Sequence, residues 1–269
     1  MLHLKNREYN GNIALHSQVW RTGQKHCLHS AHSSHRFTSQ AIKESQSLTA
    51  SHSNQRWPAF LIRLFLSGAV SGTLLDGIHS RTGLQVYELL PFDVGGLHSS
   101  WCVPPLLGSF YVVLGSMFIL ADQQWPSSIG TSKILNQCQD GRFVAAGYGA
   151  LAVNLQISAA LFAAGVPFHL ISLALACVSL GTWKIFDGTV QGAALSAFCA
   201  VGAPLSEILL LHYVPMWSYP LADLDLGAWG GFVSWVPWCY FFYTPVLGAL
   251  SRNLWQALDA ESSGSNSGP

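Results

Sequence analysis

The chain has 269 residues, of which 50% are hydrophobic and only 10% charged, with 13 basic and 13 acidic side chains that cancel. An ordinary soluble domain carries about 25% charged residues, so a chain of this size cannot cover a soluble surface. The apolar content excludes disorder over the whole length, the missing basic surplus argues against nucleic-acid binding, and the composition points to a polytopic membrane protein.

Residues 1–58 carry seven of the basic groups (Lys5, Arg7, Arg21, Lys25, Arg36, Lys43 and Arg56) against Glu8 and Glu44. They show no sustained helical or alternating period, are rich in Ser, Gln and Thr, and hold His3, His16, His26, His29, His32, His35 and His52. The expectation is a disordered basic N-terminal tail. A metal-binding tract is the weaker reading, and an organellar transit peptide, which is basic, Ser-rich and acid-poor, stays open. No apolar core of 7–15 residues precedes Pro58, which argues against a secretory signal.

Apolar tracts begin after Trp57-Pro58. Ala59–Ile78 is apolar apart from Arg63 and Asp76, and Trp101–Ala121 carries no charge. Phe143–Trp183 is uncharged over 41 residues, Thr189–His212 holds only Glu207, and Leu226–Ser251 is again uncharged. About 20 apolar residues cross a bilayer as a helix. The long tract is therefore two spans, broken at Gly165-Val166-Pro167. The expectation is an all-α bundle of six transmembrane helices at 59–79, 99–121, 143–165, 168–187, 190–213 and 228–250. A membrane domain would then cover 59–256, and a disordered polar tail 257–269.

Lys and Arg set orientation by their excess on the cytoplasmic side. With the N-terminus cytoplasmic, the seven tail residues, Arg63, Lys133, Arg142, Lys184 and Arg252 fall on one side, and Arg81 alone on the other. Trp57, Trp101, Trp125, Trp183, Trp217 and Trp255 lie near span ends, where amphipathic rings favour the headgroup layer. Cys102, Cys177, Cys199 and Cys239 sit in apolar tracts and read as small buried hydrophobes. No CxxC pair supports a zinc or redox site. No HExxH, GxSxG, P-loop or dinucleotide motif is present, so neither a catalytic residue nor a cofactor is expected.

A charge at bilayer depth costs at least ~2.5–3.5 kcal/mol and needs a reason. Glu207 lies three residues after Pro204, which can kink its helix. It is either a polar-ligand or proton contact, or a protonated carboxyl hydrogen-bonded to a neighbouring helix. Asp187 either caps the fifth span or meets a partner on the cytoplasmic face. Arg63 and Asp76 are about 20 Å apart on one helix, too far to pair, and are expected to snorkel to opposite interfaces. Gly68-Ala-Val-Ser-Gly72 is a GxxxG packing face.

Three stretches together resemble the Insig (insulin-induced gene) family. They are Ser99-Ser-Trp-Cys-Val-Pro-Pro-Leu-Leu-Gly108; Leu175-Ala-Cys-Val-Ser-Leu-Gly-Thr-Trp-Lys-Ile-Phe-Asp187 with Gly192; and Ser234-Trp-Val-Pro-Trp-Cys-Tyr-Phe-Phe with Gly248 and Arg252-Asn-Leu254. They occur in the family's order and spacing over about residues 59–256. The resemblance implies a non-enzymatic, sterol-linked regulator of the endoplasmic reticulum membrane. Such proteins bind the membrane domains of Scap and HMG-CoA reductase, retaining SREBP precursors or directing reductase degradation. A lipid such as an oxysterol sits among the spans. By position, the resemblance makes Asp187 a partner-binding residue and Trp183 part of a lipid-facing wall. It makes Trp101, Pro104, Pro105, Gly192, Trp235, Pro237, Gly248 and Arg252 structural members of the motifs. Glu207, added as a lipid-binding candidate, stands where the family has Thr or Gln. Lys184 replaces a second Trp, Gly188-Thr189-Val190 replaces a basic turn, and Leu170 replaces a Gln. Such a chain resembles a distant member. The competing reading is a carrier or enzyme that uses Glu207 to handle a lipid or solute, with a plastid membrane as its alternative location.

Overall fold

The structure is a computed structural model that describes residues 56–126 and 130–265, apart from the side chains of 263–265. The seven tail histidines, both tail acids and residues 266–269 lie outside the described residues, so the tail readings are not addressed by it.

Among the described residues, five helices are long and apolar enough to cross a membrane: α1 (Arg56–Ser80), α2 (Val103–Gln124), α4 (Gly141–Ala163), α5 (Phe168–Phe186) and α6 (Val190–Tyr213). The short α3 (Thr131–Gln137) lies between α2 and α4. The 41-residue tract divides as expected, with Pro167 as the residue before α5 and Gly165 at φ 69° in the break. Within α1 the chain winds through one π-helical turn at Gly68–Gly72. Here Ser71 and Thr73 bond back to the carbonyls of Ser67 and Ala69. Gly68 and Gly72 form the contact with α2: a Cβ at Gly68 would stand 2.6 Å from the Leu107 carbonyl oxygen and the Tyr111 ring.

The last helix, α7 (Val236–Ser265), differs most from expectation. It starts eight residues after the expected 228 and continues as helix past 257, where a disordered tail was expected. It is also less apolar than the other five. The reason is its place at the centre of the bundle, where it packs against α2, α4, α5 and α6. Thr244–Arg252 is buried throughout. A helix surrounded by protein can carry polar groups that a lipid-facing helix cannot. Outer helices show lipid-type faces instead, such as Ile62, Leu66 and Val70 on α1 and Phe198, Val201 and Leu205 on α6. Cys177 on α5 is exposed on such a face, not buried as expected.

The fold is not purely helical. Residues expected to be loop or span end form three antiparallel strand pairs. β2 (Pro91–Val94) and β3 (Leu97–Ser100) make a hairpin. Its two turn residues, Gly95 and Gly96, both have positive φ, as a type I′ turn requires. β1 (Val86–Tyr87) pairs with β4 (Trp217–Ser218), joining two loops distant in sequence. β5 (Leu224–Asp225) pairs with β6 (Gly231–Phe232) around a short turn of helix at Gly227–Trp229. Together they form a cap at the end of the bundle where α1 finishes.

Candidate functional site

Two polar sites lie at opposite ends of the bundle. At the end where α1 begins, α7 carries the fully buried Arg252. Its Nε and Nη2 donate to Asp122 at 2.7 and 3.0 Å, and its Nη1 donates to Asp187 at 2.8 Å. The forked guanidinium suits two carboxylates at once, and it lies 5.0 Å from the centre of the Phe118 ring. Asp187 also accepts from the backbone N–H and the hydroxyl of Thr189. Thr189 in turn accepts from the Gly192 N–H at 2.9 Å, so Thr189 caps α6 and Asp187 holds the cap. Gln191 donates to Asp122 and to Thr131 of α3. Gly188, at φ 67°, turns the chain between α5 and α6. Gly192 must be glycine because a Cβ there would collide with the Asp187 carboxylate. Cys138, at the end of α3, has its thiol pushed up to about 12 by burial.

The second site lies beneath the cap. Glu207 of α6 is 6% exposed. It accepts from Trp217 Nε1 at 2.9 Å and Tyr240 Oη at 3.0 Å, and also from the Tyr219 hydroxyl. Burial first, and the Glu207 carboxylate second, push the Tyr219 phenol well above its usual range. Asp76 of α1 accepts from the Tyr87 hydroxyl on β1. Asp76 and Glu207 line one cavity of about 120 Å³, together with His79, Gln85 and Tyr219. A groove of about 280 Å³ between α2 and α6 adjoins it, walled by Leu106, Phe110, Phe198 and Leu210. Glu207, Trp217 and Tyr240 belong to both spaces, so the apolar groove leads to the acidic cavity. Beside the cavity, Tyr243 bonds to Tyr111 at 2.7 Å, and Tyr111 lies within 3.4 Å of both Tyr148 and Ser71.

The structure brings Asp187, Gly192 and Arg252 together, and it separates Trp183 from Glu207. Trp183 donates from Nε1 to the Thr189 carbonyl at 3.1 Å, in the α5–α6 turn. Glu207 lies 18 residues further along α6, about 27 Å at 1.5 Å per residue. The two lipid-binding candidates therefore do not share a pocket. Asp187 is only 5% exposed and turned inward, and the helix cap it was offered for belongs to Thr189. Arg63 bonds to the exposed Glu261 near the end of α7, at the end of the bundle where α1 begins, whereas Asp76 faces the cavity and accepts from Tyr87. Pro104 and Pro105 stand in the first turn of α2, where their missing N–H costs nothing. Trp101 is exposed and packs on Phe92 of the hairpin at 4.8 Å. Trp235 is fully buried with its ring edge on His79, and Pro237 is the second residue of α7. A Cβ on Gly248 would meet the Phe118 ring at 2.6 Å. Sequence reasoning missed Asp122, Gln85 and the cap tyrosines. Among the described residues, no three His, Cys, Asp or Glu side chains are grouped to hold a metal ion.

No protein-family profile and no curated protein sequence matches the chain. Solved structures do. A crystal structure of the mycobacterial Insig homolog MvINS from Mycobacterium vanbaalenii superposes with a TM-score of 0.57 at 23% identity, covering 73% of this chain and 94% of that one. A cross-linked MvINS cysteine variant, crystallised as a trimer, gives 0.56 at the same identity and coverage. The chain is thus a helical membrane protein with the fold of an Insig homolog.

Proposed function

We propose that this protein is a non-enzymatic, lipid-responsive regulator of the endoplasmic reticulum membrane. It binds other integral membrane proteins through its helix faces, with its N-terminus in the cytoplasm. The observation that carries the reading is the apolar groove between α2 and α6 that ends on Glu207, where it adjoins a cavity lined by Asp76, Glu207 and Gln85 among apolar side chains. That shape takes an amphipathic molecule, chain in the groove and polar head beneath the cap. The Insig-homolog fold supports the regulatory role, in which lipid shifts the chain between states that bind partners differently. Since Asp187 is turned inward, it acts on a partner by holding the α5–α6 turn in shape. Sterol homeostasis through Scap or HMG-CoA reductase is the family role this reading extends to the chain.

Native mass spectrometry of the purified protein tests the lipid part. One lipid adduct is expected, and it is lost in Gly202→Leu, which fills the open floor of the groove. A protein that carries no adduct, and whose melting temperature no added sterol or single-chain lipid raises, would sink the reading. The structure also gives the carrier or enzyme reading something it lacked, because Asp76 joins Glu207 at the cavity. That reading requires pH-dependent uptake into liposomes that Glu207→Gln abolishes, and full uptake by this variant rejects it.

A further inference from the structure

The lining of the cavity under the cap is one-sided in charge. Asp76 comes from α1 and Glu207 from α6, and among the described residues no Lys or Arg lines the space. Neither carboxylate takes part in an ion pair among the described residues. Trp217, Tyr219 and Tyr240 satisfy Glu207 with neutral donors only. The contrast with the other end of the bundle is direct, since there the buried acids Asp122 and Asp187 share Arg252. Buried ionised carboxylates are costly, and proteins either pair them with a cation or leave them protonated.

Gln85 gives an independent pointer to a ligand. It precedes β1, is 6% exposed, and lines the same cavity. Its side-chain amide makes no hydrogen bond with any described residue, and it is not among the sealed, unpaired polar atoms of the core, so it opens onto the cavity. One carboxylate oxygen of Asp76 receives Tyr87, which leaves the other open. The cavity thus presents acceptors from three separate elements: Asp76, Glu207 and the Gln85 carbonyl oxygen. A primary ammonium has three donors and one positive charge. A neutral alcohol has one donor and no charge.

We propose that the cavity under the cap selects the protonated primary amine of a single-chain amphiphile, with its hydrocarbon chain in the groove between α2 and α6. The proposal rests on the lipid-binding reading above and narrows it to a cationic head. Glu207 and Asp76 supply the charge recognition, and Gln85 accepts the third N–H. The groove, about 280 Å³ with Gly202 on its floor, offers room for a single hydrocarbon chain rather than two.

The test is a titration of the full-length protein in phosphatidylcholine nanodiscs with tetradecylamine and with 1-tetradecanol, read by native mass spectrometry. The amine is expected to bind at least tenfold more tightly than the alcohol. Glu207→Gln and Asp76→Asn should each weaken the amine at least tenfold and leave the alcohol within about twofold, which also reports that each variant is folded. Gln85→Leu should weaken the amine by a smaller factor. Equal binding of amine and alcohol overturns the amine selection, as does a preference that survives both carboxylate variants. If both probes bind equally and Gly202→Leu removes both, the lipid site stands and only the cationic head is wrong. If neither probe binds, the lipid-binding reading fails and this inference fails with it.

Discussion

Arg252 is the single side chain whose loss leaves the most uncompensated. Its removal would strand Asp122 and Asp187 together at one buried end of the bundle. Deleting one partner of a buried ion pair costs about 3–5 kcal/mol, because the remaining charge keeps its desolvation penalty. Arg252→Ala is therefore expected to lower the melting temperature in mild detergent more than Asp187→Ala does, since the latter leaves Arg252 bonded to Asp122. Equal melting temperatures for wild type and Arg252→Ala would show that the network contributes nothing to stability. Both residues are conspicuous in the sequence, one by its place in a motif and the other by its place at a span end. What the sequence hides is that they touch across 65 residues. A charge at a span end has the same pattern whether it faces water or the bundle interior, and only the packing of α7 decides between them.

Helices and strands were not equally legible at the level of elements. The apolar runs of α1, α2, α4, α5 and α6 stand out because each has a lipid-facing side, and a missing charge is easy to see over 20 residues. The central helix was misplaced by eight residues for the opposite reason. The uncharged stretch from Leu226 includes β6 and the turn before it, and charge alone cannot tell a cap strand from a helix start. The hairpin did leave a signal, Gly95-Gly96 flanked by Val94 and Leu97, which is a type I′ turn pattern. The β1–β4 pair left none, because it depends on two loops meeting. Glycines on helix faces make the packing testable. Gly248→Val would drive a side chain into Phe118, and overpacking of this kind costs typically 1–3 kcal/mol. Gly149 on α4 faces open space, so Gly149→Ala should be neutral or stabilise by up to about 1 kcal/mol through helix propensity. Chemical denaturation of both variants checks the contrast. A Gly248→Val protein as stable as the wild type would mean that α2 and α7 are less closely packed than the structure has them.

For the whole molecule, parity governs the topology. Five crossings leave a chain on the side opposite its start, and α6 does end at the cap. Yet Asp259 and Glu261, near the end of α7, pair with Arg56 and Arg63 at the beginning of α1. If the five apolar helices cross, α7 must cross as well, and its two ion pairs place its end beside the first residues of α1. Arg252, counted in the sequence with the cytoplasmic charges, is internal and drops out of the orientation argument. Arg56, Arg63, Lys133, Arg142 and Lys184 remain at that end against Arg81 at the other, which still favours a cytoplasmic start under the positive-inside rule. Single cysteines at Asp140, Asp225 and Ala260, introduced into a background with the native cysteines changed to serine, put this to the test. In sealed, cytoplasmic-side-out microsomes, a membrane-impermeant maleimide should label the cysteines of Asp140→Cys and Ala260→Cys, and that of Asp225→Cys only after permeabilisation. The reverse pattern would place the start of α1 in the lumen. Labelling at Asp140 and Ala260 from opposite sides would mean that α7 does not cross, and the ion pairs between the two ends of the bundle would then have to be abandoned.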